Sequence, residues 1–267
     1  MRTATLALPV WFAALSFAVA EDSPVQSASR PFNLDITSPV QLAGSDSRSA
    51  DFQSNTLGSF VNIMNDRLTE AHAAQSLSAM HLDPSKLTLK YDSSVRVYFV
   101  GEGAGYHNTL GFSTTGGGVN SSDAALIFPD ASSNGGYGGN GSADRASWAP
   151  LAAGDFVDLG TLTAGSQLDF FLIADGANGG SDVFSTQQSQ NRDGLVHAVS
   201  LAPDGSAFLL IGFEDLYNGG DRDYNDVVFA VEIGAANVAG LAAPEPSLAL
   251  GSVFAGLAFL GYRRRSR

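Results

Sequence analysis

The sequence predicts an all-β sandwich or jelly-roll-like domain preceded by an amphipathic helix, and three observations carry that expectation. Beyond Pro84 the apolar residues fall in short alternating or β-branched runs, such as Leu87-Thr88-Leu89-Lys90-Tyr91 and Val95-Arg96-Val97-Tyr98-Phe99-Val100, the pattern of strands. Clusters of Gly, Asn and Asp separate these runs, and the chain holds 30 Gly and 17 Phe, a composition of tight turns around an aromatic core. Finally, Phe170-Phe171-Leu172-Ile173 is apolar on both faces, which suits a central strand lying between two layers.

Residues 1–20 carry one basic residue, Arg2, then an apolar run ending at Ala18-Val19-Ala20. The small residues Ala18 and Ala20 mark the cleavage site of a secretory signal peptide; a buried N-terminal helix is the alternative. Residues 21–55 are rich in Ser, Asp, Pro and Gln without a sustained period. They are expected to form a linker or loosely packed arm, with a strand candidate at 32–36. Over 56–83, Leu57, Phe60, Val61, Met64, Leu68, Ala71 and Leu77 approximate i, i+3, i+4 spacing. That spacing predicts a helix with one buried stripe, capped by Asn55 and stopped at Asp83-Pro84. His72 and His81 have no acidic or His partner four residues on, so they read as boundary positions rather than metal ligands.

Residues 84–234 form the sandwich. Further strands are expected at 126–128, 156–159, 168–173, 196–199, 207–213 and 227–233, with Gly-rich loops at 116–118 and 134–141. The second loop carries Tyr137 and reads as a plain surface loop or a flap at a binding edge. Residues 235–246 form a linker. A 16-residue stretch without charge, 247–262, and an arginine cluster end the chain. As a helix the stretch spans about 24 Å, short of a hydrocarbon core of roughly 30 Å. The order Pro244-Glu245-Pro246, short apolar helix, Arg263-Arg264-Arg265 resembles the PEP-CTERM sorting signal of Gram-negative bacteria. That resemblance implies export through the secretion translocase and transient anchoring in the inner membrane. It also implies cleavage near 244–246 by an exosortase-type enzyme, then release or attachment at the cell surface. A permanent single-span anchor is the alternative.

The charge balance narrows the partners. The chain carries 27 acidic and 14 basic side chains, a formal charge of −13, and 21–243 alone holds 26 acids and 9 bases, or −17. Such a surface repels phosphate backbones and excludes nucleic acid as a partner, while it attracts hard cations such as Ca²⁺. The chain has no cysteine, which removes thiol catalysis, disulfides, Fe–S clusters and Cys-ligated zinc.

One stretch concentrates oxygen ligands: residues 212–229, GFEDLYNGGDRDYNDVVF, hold Glu214, Asp215, Asp221, Asp223, Asn225 and Asp226, with Asn218 beside the glycines. Acids this close repel unless a cation neutralises them. Ca²⁺ takes six to eight oxygens in tolerant geometry, and alternate spacing at Asp221, Asp223 and Asn225 turns three toward one centre. A hydrated acidic turn without metal is the bland alternative. The stretch is not an EF-hand, because position six is Asp226 where that loop needs Gly. A strand over 227–231 also carries Glu232, the twelfth position, roughly 20 Å away.

Several blocks resemble the domain of unknown function DUF4114: residues 97–112, 125–130, 153–160 and 170–176, and above all Phe213-Glu214-Asp215-Leu216 with Gly219-Gly220-Asp221-Arg222-Asp223-Tyr224-Asn225-Asp226-Val227-Val228-Phe229. The resemblance spans about 90–233 and implies a β-sandwich and extracellular calcium in a bacterial surface or adhesin-like setting. It supplies no substrate. Glu102 and Asp175 are secondary ligand candidates from neighbouring loops, with a turn-stabilising role as the alternative. The expectation for function is an exported cell-surface or matrix protein that binds calcium and, through it, adheres to carbohydrate or matrix polymer. A purely structural matrix protein with stabilising calcium is the alternative. A glycan hydrolase is a remoter one, since neither G-x-S-x-G nor H-E-x-x-H occurs, and Tyr106-His107-Asn108 places only a lone His near Ser113.

Overall fold

The computed structural model describes residues 26–69, 81–133 and 149–242. The signal peptide expected at 1–20, Pro244, Glu245, Pro246 and the tail with Arg263, Arg264 and Arg265 lie outside the described residues, as do His72 and Tyr137. Among the described residues no helix is long and apolar enough to cross a membrane.

Among the described residues ten strands build two antiparallel sheets. They are β1 (His81–Leu82), β2 (Ser93–Gly101), β3 (Thr109–Ser113), β4 (Ala125–Phe128), β5 (Phe156–Leu162), β6 (Asp169–Ile173), β7 (Val183–Ser185), β8 (Ala198–Leu201), β9 (Phe208–Phe213) and β10 (Val227–Glu232). One sheet runs β1-β8-β9-β10-β2-β5 and the other β4-β3-β6-β7, so the chain changes sheet after β2, β4, β5 and β7. The period of two is used on both faces. Val227, Phe229 and Val231 lie opposite Phe213, Ile211 and Leu209 and point into the core between the sheets. Val228, Ala230 and Leu210 point the other way.

That outer face is covered by helix. Helix α1 (Ser47–Phe52) runs through a π-type stretch (Gln53–Leu57) into α2 (Gly58–Arg67). Phe52, Phe60, Met64 and Leu68 lie against Tyr98, Val100, Leu210 and Val228. Phe52 stacks on Tyr98 with centroids 3.9 Å apart. The stripe of Phe60, Met64 and Leu68 matches the sequence expectation, while both ends of the helix correct it: α2 stops at Arg67, and His81–Leu82, inside the helix expected to run to 83, is strand β1. Asp46, not Asn55, is the N-cap: its side chain accepts from Ser49 N–H at 2.7 Å, and Ser49 Oγ accepts from Asp46 N–H at 3.3 Å. Asp46 also takes the two Nη groups of Arg96 at 3.0 and 2.8 Å. The local capping box and the distant Arg96 together draw the last part of the expected linker into the helix.

Other elements differ from expectation as well. Residues 31–36 are no strand: Pro31–Asn33 is a 3₁₀ turn and Ile36 makes a lone bridge to Leu126. Leu34 and Ile36 cover Phe171 and Ile173 on the outer face of the four-stranded sheet, so the arm is packed rather than loose. Leu87 and Leu89 reach the main core, but their backbone bonds irregularly to 165–168 and forms no strand. The strand expected at 196–199 lies at Ala198–Leu201. Ala235–Ala242, taken as linker, is helix α3. Buried Asn237 ties it to the sandwich, with Oδ1 accepting from Lys90 and Tyr91 N–H at 2.8 and 2.9 Å.

Candidate metal centre

One end of the sandwich gathers the acidic residues. β2, β4, β6 and β9 all finish there, leading to Glu102, Asp130, Asp175 and Glu214-Asp215, while β10 begins there after the 214–226 loop. A bulge in β2, where the register steps from Phe99 to Gly101 opposite Phe229 and Val228, precedes Glu102.

The loop is shaped by backbone that few residues adopt. Asn218, Arg222 and Tyr224 have φ of 66°, 63° and 58°, in the left-handed region. This alternation folds Asp221, Asp223 and Asn225 into successive side-chain turns: Asp221 Oδ1 accepts from Asp223 N–H at 3.4 Å, and Asp223 Oδ1 from Asn225 N–H at 3.1 Å. Gly220 has φ 41° and ψ −129°, and a Cβ there would sit 1.9 Å from Glu214 Oε1. Only glycine lets the chain pass this close to the buried glutamate.

Two trios of carboxylates result: Glu214 with Asp221 and Asp223, and Glu214 with Asp215 and Asp226. In each trio one oxygen per residue lies within 4.8 Å of the others. Glu214 and Asp215 are buried although charged side chains are rarely so placed. Glu214 Oε2 accepts from Arg222 N–H at 3.1 Å, and Asp226 Oδ2 from Asp215 N–H at 2.8 Å. Burial, reinforced by the neighbouring carboxylates, pushes the carboxyl of Glu214 up to about 7, Asp223 to about 6 and Asp226 to about 9, and raises that of Asp215 as well. The protein alone does not compensate this charge.

Asn225 is enclosed beside the trios. Its Nδ2 donates to Asp223 Oδ2 at 2.6 Å and to the Leu68 carbonyl at the end of α2 at 3.2 Å. Its Oδ1 is buried with no partner, a costly state for an amide oxygen. The helix thus buttresses the loop. These donors fit a hard cation: five carboxylates supply the charge, and oxygen is their only ligand atom.

The secondary candidates stand apart from the trios. Glu102 is buried, its carboxyl is raised by burial, and Oε1 accepts from Ser133 N–H and Oγ at 3.2 and 3.4 Å. Asp175, at φ 51°, accepts from His107 N–H and Asn178 Nδ2 at 3.1 and 2.9 Å, a turn-stabilising arrangement. Glu232 sits at the opposite end of β10, bonded to Arg48 Nε at 2.7 Å and Tyr98 Oη at 3.1 Å, clear of the loop. Sequence reasoning missed Asn108, whose Nδ2 donates to Asp215 at 2.7 Å while its Oδ1 accepts from Asp175 N–H at 3.0 Å. It also missed His197, which joins the Glu214 carbonyl (3.1 Å) to Asp193 (2.9 Å). A lone buried amide or imidazole has no spacing signature that could have revealed either.

His107 does not form a nucleophilic relay. Asp130 Oδ2 and Ser132 Oγ both meet the same ring nitrogen, Nδ1, at 3.1 and 3.2 Å, whereas a base in such a relay uses one nitrogen for each partner. Ser113 lies at the far end of β3.

Residues 162–234 match the family model described as Domain of unknown function (DUF4114). The match contains the whole acidic loop and β6 to β10, and leaves out the earlier blocks at 97–112, 125–130 and 153–160. No match to a curated protein or to a solved structure was found.

Proposed function

We propose that the protein is an exported cell-surface or extracellular-matrix protein whose sandwich loads Ca²⁺ at loop 214–226 and uses that end to bind carbohydrate or matrix polymer. The observation that carries the proposal is the pair of carboxylate trios sharing Glu214. Glu214, Asp221, Asp223, Asp215 and Asp226 would hold the ion. Bound there, it cancels charge that burial otherwise penalises and leaves coordination positions for sugar hydroxyls. The protein's own part is to fix the carboxylates through Gly220, Asn108, His197 and the end of α2. Export is supported by the leader at 1–20 and by the order of Pro-Glu-Pro, apolar stretch and arginines in the tail, which point to a translocase and an exosortase-type enzyme as processing partners.

Polysaccharide pull-down with the full chain, in Ca²⁺ and in chelator, tests this. The expected result is retention on an extracellular polysaccharide in Ca²⁺ and release by chelator. A protein that binds Ca²⁺ but is retained by no polysaccharide would leave the ion a structural role and contradict the adhesive one.

A further inference from the structure

The acidic loop has a second face. Tyr217 and Asn218, together with Arg192 and Asp193, line a pocket of about 250 Å³. This is smaller than the roughly 300–1,000 Å³ that holds a drug-sized ligand and suits a single ring. Its floor is fixed from beneath. Tyr217 meets Phe184 edge-on with centroids 5.1 Å apart, and Phe184 stacks on buried His197 at 4.1 Å. His197 holds Asp193 at 2.9 Å, and Asp193 accepts from the N–H groups of Asn218 and Leu195 at 2.9 and 3.1 Å. The Asp193 carboxylate is therefore engaged within the protein, and the Asn218 side chain faces solvent.

One arginine lines this pocket, and a second, Arg222, lies on the acidic loop outside the lining. Arg192 is exposed, with its guanidinium 6.0 Å from the Tyr217 ring centroid. Arg222 crosses beside Gly219, where an added Cβ would lie 3.4 Å from its Nε. Among the described residues neither guanidinium has a carboxylate within ion-pair distance, although acids outnumber bases 27 to 14 in the chain.

We propose that this pocket is a subsite for one carboxylated sugar ring, a uronic acid residue of an extracellular polysaccharide. The ring lies against Tyr217, its carboxylate meets Arg192, and the Asn218 amide takes hydroxyls. A free guanidinium presents a planar fork that matches a carboxylate, and an aromatic ring offers an apolar face with little entropy to lose. The inference rests on the calcium reading above. Without the ion the neighbouring carboxylates repel an anionic ring, and with it they are largely neutralised, so binding requires calcium.

Calorimetric titration of trigalacturonate, and of its carboxyl-reduced neutral counterpart, into the full chain tests the subsite in Ca²⁺ and in chelator. The acidic sugar is expected to bind only in Ca²⁺, and the neutral one at least about tenfold more weakly. Arg192→Gln should lose roughly ten- to hundredfold in affinity, the scale of one charge-assisted hydrogen bond, while the rise in melting temperature with Ca²⁺ stays as in the parent. Asn218→Asp, which tolerates the left-handed backbone at φ 66° and adds a like charge, should also lose affinity. Equal binding of the two sugars, an Arg192→Gln protein that binds like the parent, or no sugar binding while the Ca²⁺ shift persists would each overturn the subsite alone. Absence of any Ca²⁺ shift would overturn the calcium reading and the subsite with it.

Discussion

Asp226 shows how a buried carboxylate can oppose the fold that holds it. Burial and the charges of Asp215 and Glu214 push its carboxyl up to about 9. Asp226→Asn removes that repulsion, and the amide oxygen can still accept the Asp215 N–H bond made at 2.8 Å. The metal-free variant should therefore melt higher than the parent in scanning fluorimetry. It should also lose the stabilisation by Ca²⁺, about 2.7 kcal/mol for the parent at a hundredfold excess over Kd. Glu214, Asp223 and Asp226, with folded values of about 7, 6 and 9, would titrate near 4 in an unfolded chain. Between about pH 4 and 9 the folded state holds the extra protons, so metal-free stability falls as pH rises through that window. Below it both states are protonated and the penalty vanishes. Melting in chelator from pH 5 to 9 should show a falling trend, and saturating Ca²⁺, which displaces those protons, should flatten it.

At the scale of the element, the helix on the outer face links the fold to the site. Phe52 is buried and stacks on Tyr98 at 3.9 Å, and the far end of the helix holds Asn225 through the Leu68 carbonyl. Phe52→Ala should cost about 3–5 kcal/mol in urea unfolding, the range for a large aromatic removed from a core. The sequence showed this helix by its stripe of Phe60, Met64 and Leu68, because period and burial coincide. Its beginning was hidden although the Asp46–Ser49 capping box is local, because Ser47–Phe52 offers only Ala50 and Phe52 to an apolar stripe; the contact of Asp46 with Arg96, 50 residues away, adds a support no local pattern shows. The strands around Phe170 and Phe229 were legible for the same reason as the stripe. β3 carries Gly111 within it and β7 has three residues, too little pattern to stand out alone, while the alternation at Leu87 and Leu89 records burial without a partner strand.

For the whole molecule, topology turns a linear motif into a site. Glu214, Asp215, Asp221, Asp223 and Asp226 were evident in the sequence because they lie within one loop, but the spacing pointed only Asp221, Asp223 and Asn225 at one centre and gave no sign that two trios share Glu214. The supports from other strands, Asn108 before β3 and His197 before β8, arrive only when the two sheets bring their ends together. That Glu102 and Asp175 stand outside both trios is likewise a matter of fold, since Glu102 accepts from Ser133 and Asp175 from His107 and Asn178. The proposed role of this crowded acidic end is to take up a divalent ion. Calorimetric titration of Ca²⁺ into the full chain stripped of metal tests that claim most directly. Saturable binding that Asp223→Asn and Asp226→Asn abolish and Glu232→Gln leaves intact is the predicted result. No heat of binding and no change in melting at millimolar Ca²⁺ would contradict it.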